Sequence, residues 1–246
     1  MTVGEASRVA ESGGPELIFR CPAEWRRLLP EPQPAREGLP DWLRHMPKEA
    51  ASPLLPAAVR TVKQCPPFVD AMGHGWLMRL AADVTVEKGE VSWAWDLPPC
   101  RFERLQRAPI GLHLSAQATG SPLDQPGTAF IKFNNFWSVE APPGISLLYC
   151  HPVNRPDLPF QTLTGLVDAD GFTHGLTHFP ARWTDRDFSG VLAKGTPVAQ
   201  LIPVLRGIGA RIESLEGDEA DRFSETLDAI ADSPGGYRKR FRASDR

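Results

Sequence analysis

The stretch PPGISLLYCHPVNRPDLPF (142–160), continued by GLVDAD (165–170) and LAKGTPVAQLIPV (192–204), decides the fold. Each apolar run in it is short and fenced by Pro, Gly, Asn or Asp. Proline fixes φ and removes a backbone donor, so no helix of ordinary length fits between these fences, and the runs read as strands. Working outward, the same pattern predicts strands at 110–117, 128–133, 136–140, 145–150, 163–168, 174–179 and 198–205, with Gly195 turning the chain before the last. The chain carries 25 prolines, concentrated in its first two-thirds, which argues for short strands on stiff connections rather than βαβ units.

Upstream, Val84 and Val86 alternate with polar residues, Lys88-Gly89 turns the chain, and Val91, Trp93 and Trp95 follow on one face. This is a β-hairpin with a heavy aromatic face. That face reads first as packing, and second as a stacking platform for a sugar or base. Residues 1–15 are small and polar and read as a mobile N-terminus; 16–64 form a Pro-rich wrapping arm anchored by Trp25 and Trp42, with one helical turn before Pro47. The β-rich core domain spans 65–210, and 211–246 hold a C-terminal helix and basic tail. In the helix, at 215–232, Ala220, Phe223, Leu227 and Ile230 recur at helical spacing. The expected fold is mainly β: a compact β-barrel or sandwich, β-clip or jelly-roll-like, with one C-terminal α-helix and an irregular N-terminal arm.

Composition excludes several classes of function. Of 246 residues, 41% are hydrophobic and the net charge is −3, ordinary for a chain able to bury a core and no reason to expect nucleic-acid binding. The tail YRKRFRASDR reads as a solvated end. No apolar run approaches the ~20 residues that span a bilayer, and the first residues lack a secretory pattern, so the cytoplasm is the expected compartment. Cys21, Cys65, Cys100 and Cys150 form no CxxC pair and read as free thiols.

Three of the six histidines lie between Lys132 and Arg206. A strand at 111–117 puts His113, Ser115 and Gln117 on one face, either a solvated face or a pocket lining. His174 and His178 share a face too, yet on a strand they stand roughly 13 Å apart, too far for one ion. His113, His151, His174 and His178, with Glu140, Asp168 or Asp170, are the residues that could hold a divalent metal, iron or zinc. Cys150 with a histidine is a second, slighter option for nucleophilic chemistry. Asp168 and Asp170 stand side by side in VDADGF, where turn chemistry competes with ligand contact or divided acid and base roles.

CPPFVDAM (65–72), KFNNFW (132–137), PPGISLLYCHPVNRPDLPF, GLVDAD and AKGTPVAQLIPV (193–204) together resemble an uncharacterised protein family shared by bacteria and tailed phages. The resemblance covers most of 60–206 and implies kinship without a chemistry. Asn134, Asn135, Asn154, Arg155, Asp168 and Asp170 fall in its matching strings; His174 and His178 do not. A fainter similarity links Pro143-Gly144-Ile145-Ser146, Gly165 to Phe172 and Lys194 to Leu201, in that order, to the β-clip fold of dUTPases and dCTP deaminases. It implies Asp168 or Asp170 beside a sugar or an attacking water, and Ser146 beside phosphate. Pro143 stands where those enzymes have Arg, and GGYRKRF (235–241) lacks their phosphate-closing tail, so the similarity implies a fold rather than an activity.

The leading expectation is an enzyme, or an enzyme-derived pocket, for a small polar or anionic ligand. His151, Asp168 and Asp170 are its candidate catalytic residues, and His113, Gln117, Asn135, Ser146 and Arg155 its candidate ligand contacts. Arg155 is the expected anion partner, because its planar fork matches a carboxylate or phosphate. The competing expectations are a non-catalytic interaction module, using the Trp93/Trp95 face or the 215–232 helix for assembly, the latter as a homo-oligomer, and dUTPase-like nucleotide binding.

Overall fold

A computed structural model describes residues 14–94, 96–125, 127, 129–232 and 235–243. Most of the N-terminus expected to be mobile (1–13), Trp95 of the aromatic face, Thr128 and the end of the basic tail lie outside the described residues. Among the described residues the chain is mainly β, with sixteen strands in five sheets. In chain order they are β1 (Ile18–Arg20), β2 (Gln33–Pro34), β3 (Glu49–Ala50), β4 (Val59–Arg60), β5 (Trp76–Arg79) and β6 (Val84–Glu87). Next come β7 (Glu90–Ser92), β8 (Ile110–Leu112), β9 (Phe130–Phe133), β10 (Ser138–Glu140) and β11 (Ile145–Cys150). The last are β12 (Phe160–Thr162), β13 (Gly165–Val167), β14 (Phe179–Trp183), β15 (Gly190–Leu192) and β16 (Pro197–Leu205). Four helices accompany them: α1 (Asp41–His45), α2 (Pro66–Gly73), α3 (Asp218–Ala231) and α4 (Gly236–Arg240). None is long and apolar enough to cross a membrane.

The chain forms two compact units, one from the residues up to Pro34 with Gly75–Arg206, the other from Ala35–His74 with the residues from Gly207 onward. In the first unit a five-stranded antiparallel sheet runs β13-β11-β16-β5-β2 and a four-stranded one runs β12-β14-β9-β8. They pack face to face. Leu147, Tyr149 and Leu201 of the first sheet share a core with Phe133, Phe179 and Ala181 of the second, and the Tyr149 and Phe179 rings lie 5.5 Å apart. Both sheets end in open edges, so the arrangement is a sandwich and the closed barrel does not form. Close-packed rings and aliphatic chains at this density supply most of the driving force.

The hairpin forms as its alternation predicts. β6 pairs with β7, Lys88 and Gly89 both take positive φ, and Val84 and Val86 are buried. Trp25 is the anchor its isolation suggests: it is fully buried, meets Phe136 edge-on at 5.5 Å, and its Nε1 donates to Pro98 O at 2.8 Å. Gly75, at φ +74°, leads into β5 where any Cβ would stand 2.0 Å from Leu201 O.

Elsewhere the alternation misleads. Residues 110–117 are a strand only as far as Leu112; Ser115–Ala118 form a 3₁₀ turn, because Leu112 and Leu114 find no core to enter and stay exposed. The strand expected at 174–179 starts instead at Phe179, leaving 174–178 irregular. In the second unit α1 closes before Pro47, β3 pairs with β4, and α2 carries the Asp70 carboxylate that Arg242 grips through Nε (3.0 Å) and Nη2 (2.6 Å).

Candidate functional site

The side chains singled out in the sequence divide among separate hydrogen-bonded groups. The first is a knot at the start of β11. Register places Ser146 opposite Val204 and, one step past β13, beside Asp168; Gly144 and Arg206 extend the same ladder through Arg206 N donating to Gly144 O at 2.9 Å. Ser146, fully buried, donates its hydroxyl to Asp168 Oδ1 at 2.6 Å. Arg206 Nη1 donates to Ser146 Oγ (3.1 Å), Asp168 Oδ1 (3.3 Å) and Asp170 Oδ1 (2.8 Å), while Nη2 donates to Asp170 Oδ2. Gly144 N adds a bond to Asp170 Oδ2 at 2.9 Å. The Arg206 guanidinium and then the Gly144 amide hold the Asp170 carboxyl far below the usual carboxylate range. The turn signal in VDADGF is also realised, with the amides of Gly171 and Phe172 both donating to Asp168 O.

His151 belongs to a second group. Its Nδ1 accepts the Thr162 amide proton at 3.2 Å, which puts the ring proton on Nε2, 2.9 Å from Arg155 O. Burial lowers its pKa, so the ring is neutral and both nitrogens serve the backbone. The Arg155 fork closes on Asp157, Nε to Oδ1 at 2.9 Å and Nη2 to Oδ2 at 2.8 Å. Cys150, next in chain, donates to Gln200 O, and burial raises its thiol pKa, opposing thiolate formation.

A third group surrounds Asn135. Its side chain loops back onto the connection between β9 and β10, Oδ1 accepting from Trp137 N (3.0 Å) and Nδ2 donating to Trp137 O (2.7 Å), while its backbone N–H donates to His178 Nδ1 at 3.1 Å. Gln117 Oε1 caps its own turn by accepting from Leu114 N. His113 lies edge-on to Phe130. The four histidines proposed as a metal set therefore do not gather, and among the described residues no three His, Cys, Asp or Glu side chains could hold one ion.

The site with room for a guest lies elsewhere in the first unit. A cleft of about 760 Å³ opens between the end of β1, the 101–105 turn, the segment leading into β10 and the irregular 174–176 segment. Its walls are mostly apolar, with Phe102, Leu105, Phe136 and Leu176 among them. Three arginines, Arg20, Arg101 and Arg104, line it, against one acid, Glu103. Arg20 is paired with Glu140 at 2.6 Å. Arg101 stacks over Phe102, 4.6 Å from the ring centroid, and neither Arg101 nor Arg104 closes a salt bridge among the described residues. The 101–105 turn is held to Glu24, in the 3₁₀ turn Ala23–Trp25, whose Oε1 accepts the Arg101 amide proton at 3.2 Å. His174 is the one predicted site residue that reaches this cleft; Cys21, also in its wall, is kept protonated by burial. Volume, apolar lining and a few charged residues are the attributes of a small-molecule site. The second unit's pocket, lined by Lys63, Asp70, Arg238 and Arg242, measures about 160 Å³.

Sequence reasoning passed over Arg20, Arg101 and Arg104, since RFER (101–104) reads as a solvated charge run and nothing in sequence joins it to Arg20. No protein-family model matches the chain, and a search of curated proteins finds no match either.

Proposed function

We propose that the chain is a small-molecule-binding protein whose guest is an organic anion with an apolar body, an aryl or alkyl carboxylate being the simplest example. The observation that carries this reading is the pair Arg101 and Arg104, two arginines that line an apolar cleft and close no salt bridge among the described residues. An apolar wall attracts the body of such a guest, and a planar guanidinium fork fixes its charged end. Binding rather than chemistry is the better reading, because the cleft's thiol is protonated and no hydrogen bond or ion pair joins its one histidine, His174, to its one acid, Glu103, among the described residues. A thermal-shift panel pairing octanoate with octanamide and indole-3-acetate with indole-3-acetamide tests it. The acids should raise Tm and the neutral amides should not. Equal shifts for acid and amide, or none for any compound, would remove the anion reading.

A second reading, assembly of two copies through α3, draws on Phe223, Leu227 and Ile230, which form one helical row and are each about half exposed. Light scattering of the wild type and Leu227→Glu separates it: a dimer lost in the variant supports assembly, and a wild-type monomer removes it.

A further inference from the structure

We propose that the outer face of the sheet β12-β14-β9-β8 carries a second binding site, for a protonated phosphoryl group, centred on Lys132, Asn134 and His178 above Gly111. On β9, Ile131 and Phe133 enter the core, so Lys132 faces the other way, as does Asn134 just past the strand, whose Oδ1 lies on the same side as Lys132 Cε beside Gly111. Lys132 stands between Gly111 on β8 and Pro180 on β14, neither of which has a side chain that can pair with an ammonium. No hydrogen bond or ion pair engages Lys132 among the described residues.

Gly111 shows where these side chains meet. A Cβ built there would stand 3.0 Å from Lys132 Cε and 3.2 Å from Asn134 Oδ1, so both converge over the bare Cα of the glycine. Asn134 is only 6% exposed, and its Nδ2 donates to Ala108 O at 2.9 Å. Only the NH₂ end of an amide can make that bond, so the amide's orientation is fixed. Its Oδ1 is then left buried with no partner, the one such side-chain atom among the described residues. A buried acceptor without a donor is costly, and it calls for a group that donates.

The two demands point to one chemistry. Asn134 Oδ1 needs an O–H or N–H, whereas Lys132 Nζ needs an anionic oxygen. A phosphoryl group bearing one proton offers both on the same centre. His178 adds a donor: its Nδ1 accepts the Asn135 amide, so its proton sits on Nε2. The ammonium of Lys132 acts on both His178 and His113, after burial, to lower their pKa values, as its nearness to both rings requires. Neither ring competes for the guest's charge when neutral, and both leave the Lys132 charge uncompensated.

Sulfate is the discriminating probe, because it matches phosphate in shape and charge but carries no proton near neutrality. Calorimetric titration at about pH 6.5, where phosphoryl oxygens are partly protonated, should show inorganic phosphate bound at least tenfold more tightly than sulfate. Glycerol phosphate, run alongside, separates the sources: tighter binding than phosphate assigns the site to a phosphate ester, weaker binding to free phosphate. Lys132→Met should lose phosphate affinity at least tenfold. Gly111→Ala, which places a methyl where the two side chains converge, should do the same while melting cooperatively. Sulfate bound as well as phosphate, undiminished binding in both variants, or no phosphate binding by the wild type would overturn the proposal.

Discussion

The Ser146 hydroxyl donates to Asp168 Oδ1 at 2.6 Å from a side chain with no exposed surface, while most of the Asp168 carboxylate stands in solvent. That asymmetry makes Ser146 the structural partner. Ser146→Ala removes the donor and the oxygen that accepts from Arg206, but leaves Asp168 to Arg206 and water. Its expected cost is about 1 kcal/mol, the ordinary net worth of such a bond, with an unchanged far-ultraviolet spectrum. Denaturant titration measures it.

Asp170 should set part of the acid limit of stability. Arg206 and the Gly144 amide depress its pKa in the folded state, so the unfolded chain takes up the proton first as pH falls. The stabilisation is fully present above the ordinary carboxylate range, near pH 4, and is lost as pH drops through and below it. Asp170→Asn should be less stable than wild type at neutral pH, with the gap narrowing in acid. A gap that stays constant down to pH 2–3 would contradict the assignment.

His151 acts in the same direction at milder pH. Its folded pKa lies below the ordinary value of about 6.5, so protonation favours the unfolded chain, and its contribution is complete above that value and falls away below it. His151→Leu removes both the donor to Arg155 O and the acceptor for the Thr162 amide, an expected loss of about 1–3 kcal/mol at pH 7.5. Between pH 7.5 and 5.5 the variant's urea midpoint should fall less than that of the wild type. Some fall remains, since burial also depresses His113 and His178.

Two glycines at positive φ separate steric from conformational cost. Gly75→Ala drives a methyl to 2.0 Å from Leu201 O and should cost more than about 3 kcal/mol or prevent folding. Gly89→Ala, at φ +84° with nothing within 4 Å, should cost only about 1 kcal/mol for the left-handed backbone. Equal losses at the two sites would contradict the close approach of β5 to β16.

The sandwich was legible where apolar runs are fenced by proline and glycine: 145–150 and 198–205 became β11 and β16 within a residue, and Lys88-Gly89 declared its hairpin. Where alternation had no core behind it, it misled. His113, Ser115 and Gln117 alternate with Leu112 and Leu114, but those leucines are 84% and 62% exposed, so the period of two reflects no buried face. In HGLTH, Gly175 sits against the Phe172 ring, so close that a Cβ there would overlap it, and the segment curls instead of extending. Polar residues that looked chemical, His151, Arg155 and Asn135, spend their hydrogen bonds on nearby backbone or on Asp157, because Pro-bounded connections leave many amides and carbonyls that regular ladders do not satisfy. The cleft was illegible for a different reason. Its arginines come from segments some eighty residues apart (20 and 101–104), and long-range convergence leaves no local pattern.

The most direct test of the account is an amide-resolved titration of the protein with indole-3-acetate, followed by ¹H–¹⁵N correlation spectra in the wild type and in an Arg101→Ala, Arg104→Ala double variant. Saturable shifts at Cys21, Phe102, Phe136 and Leu176, with affinity reduced at least tenfold in the variant, are the predicted result; the loss of one or two charge-assisted contacts of about 1.5–3 kcal/mol each is enough for it. Shifts confined to other parts of the chain, or an affinity indifferent to both arginines, would contradict the claim that this cleft binds an organic anion.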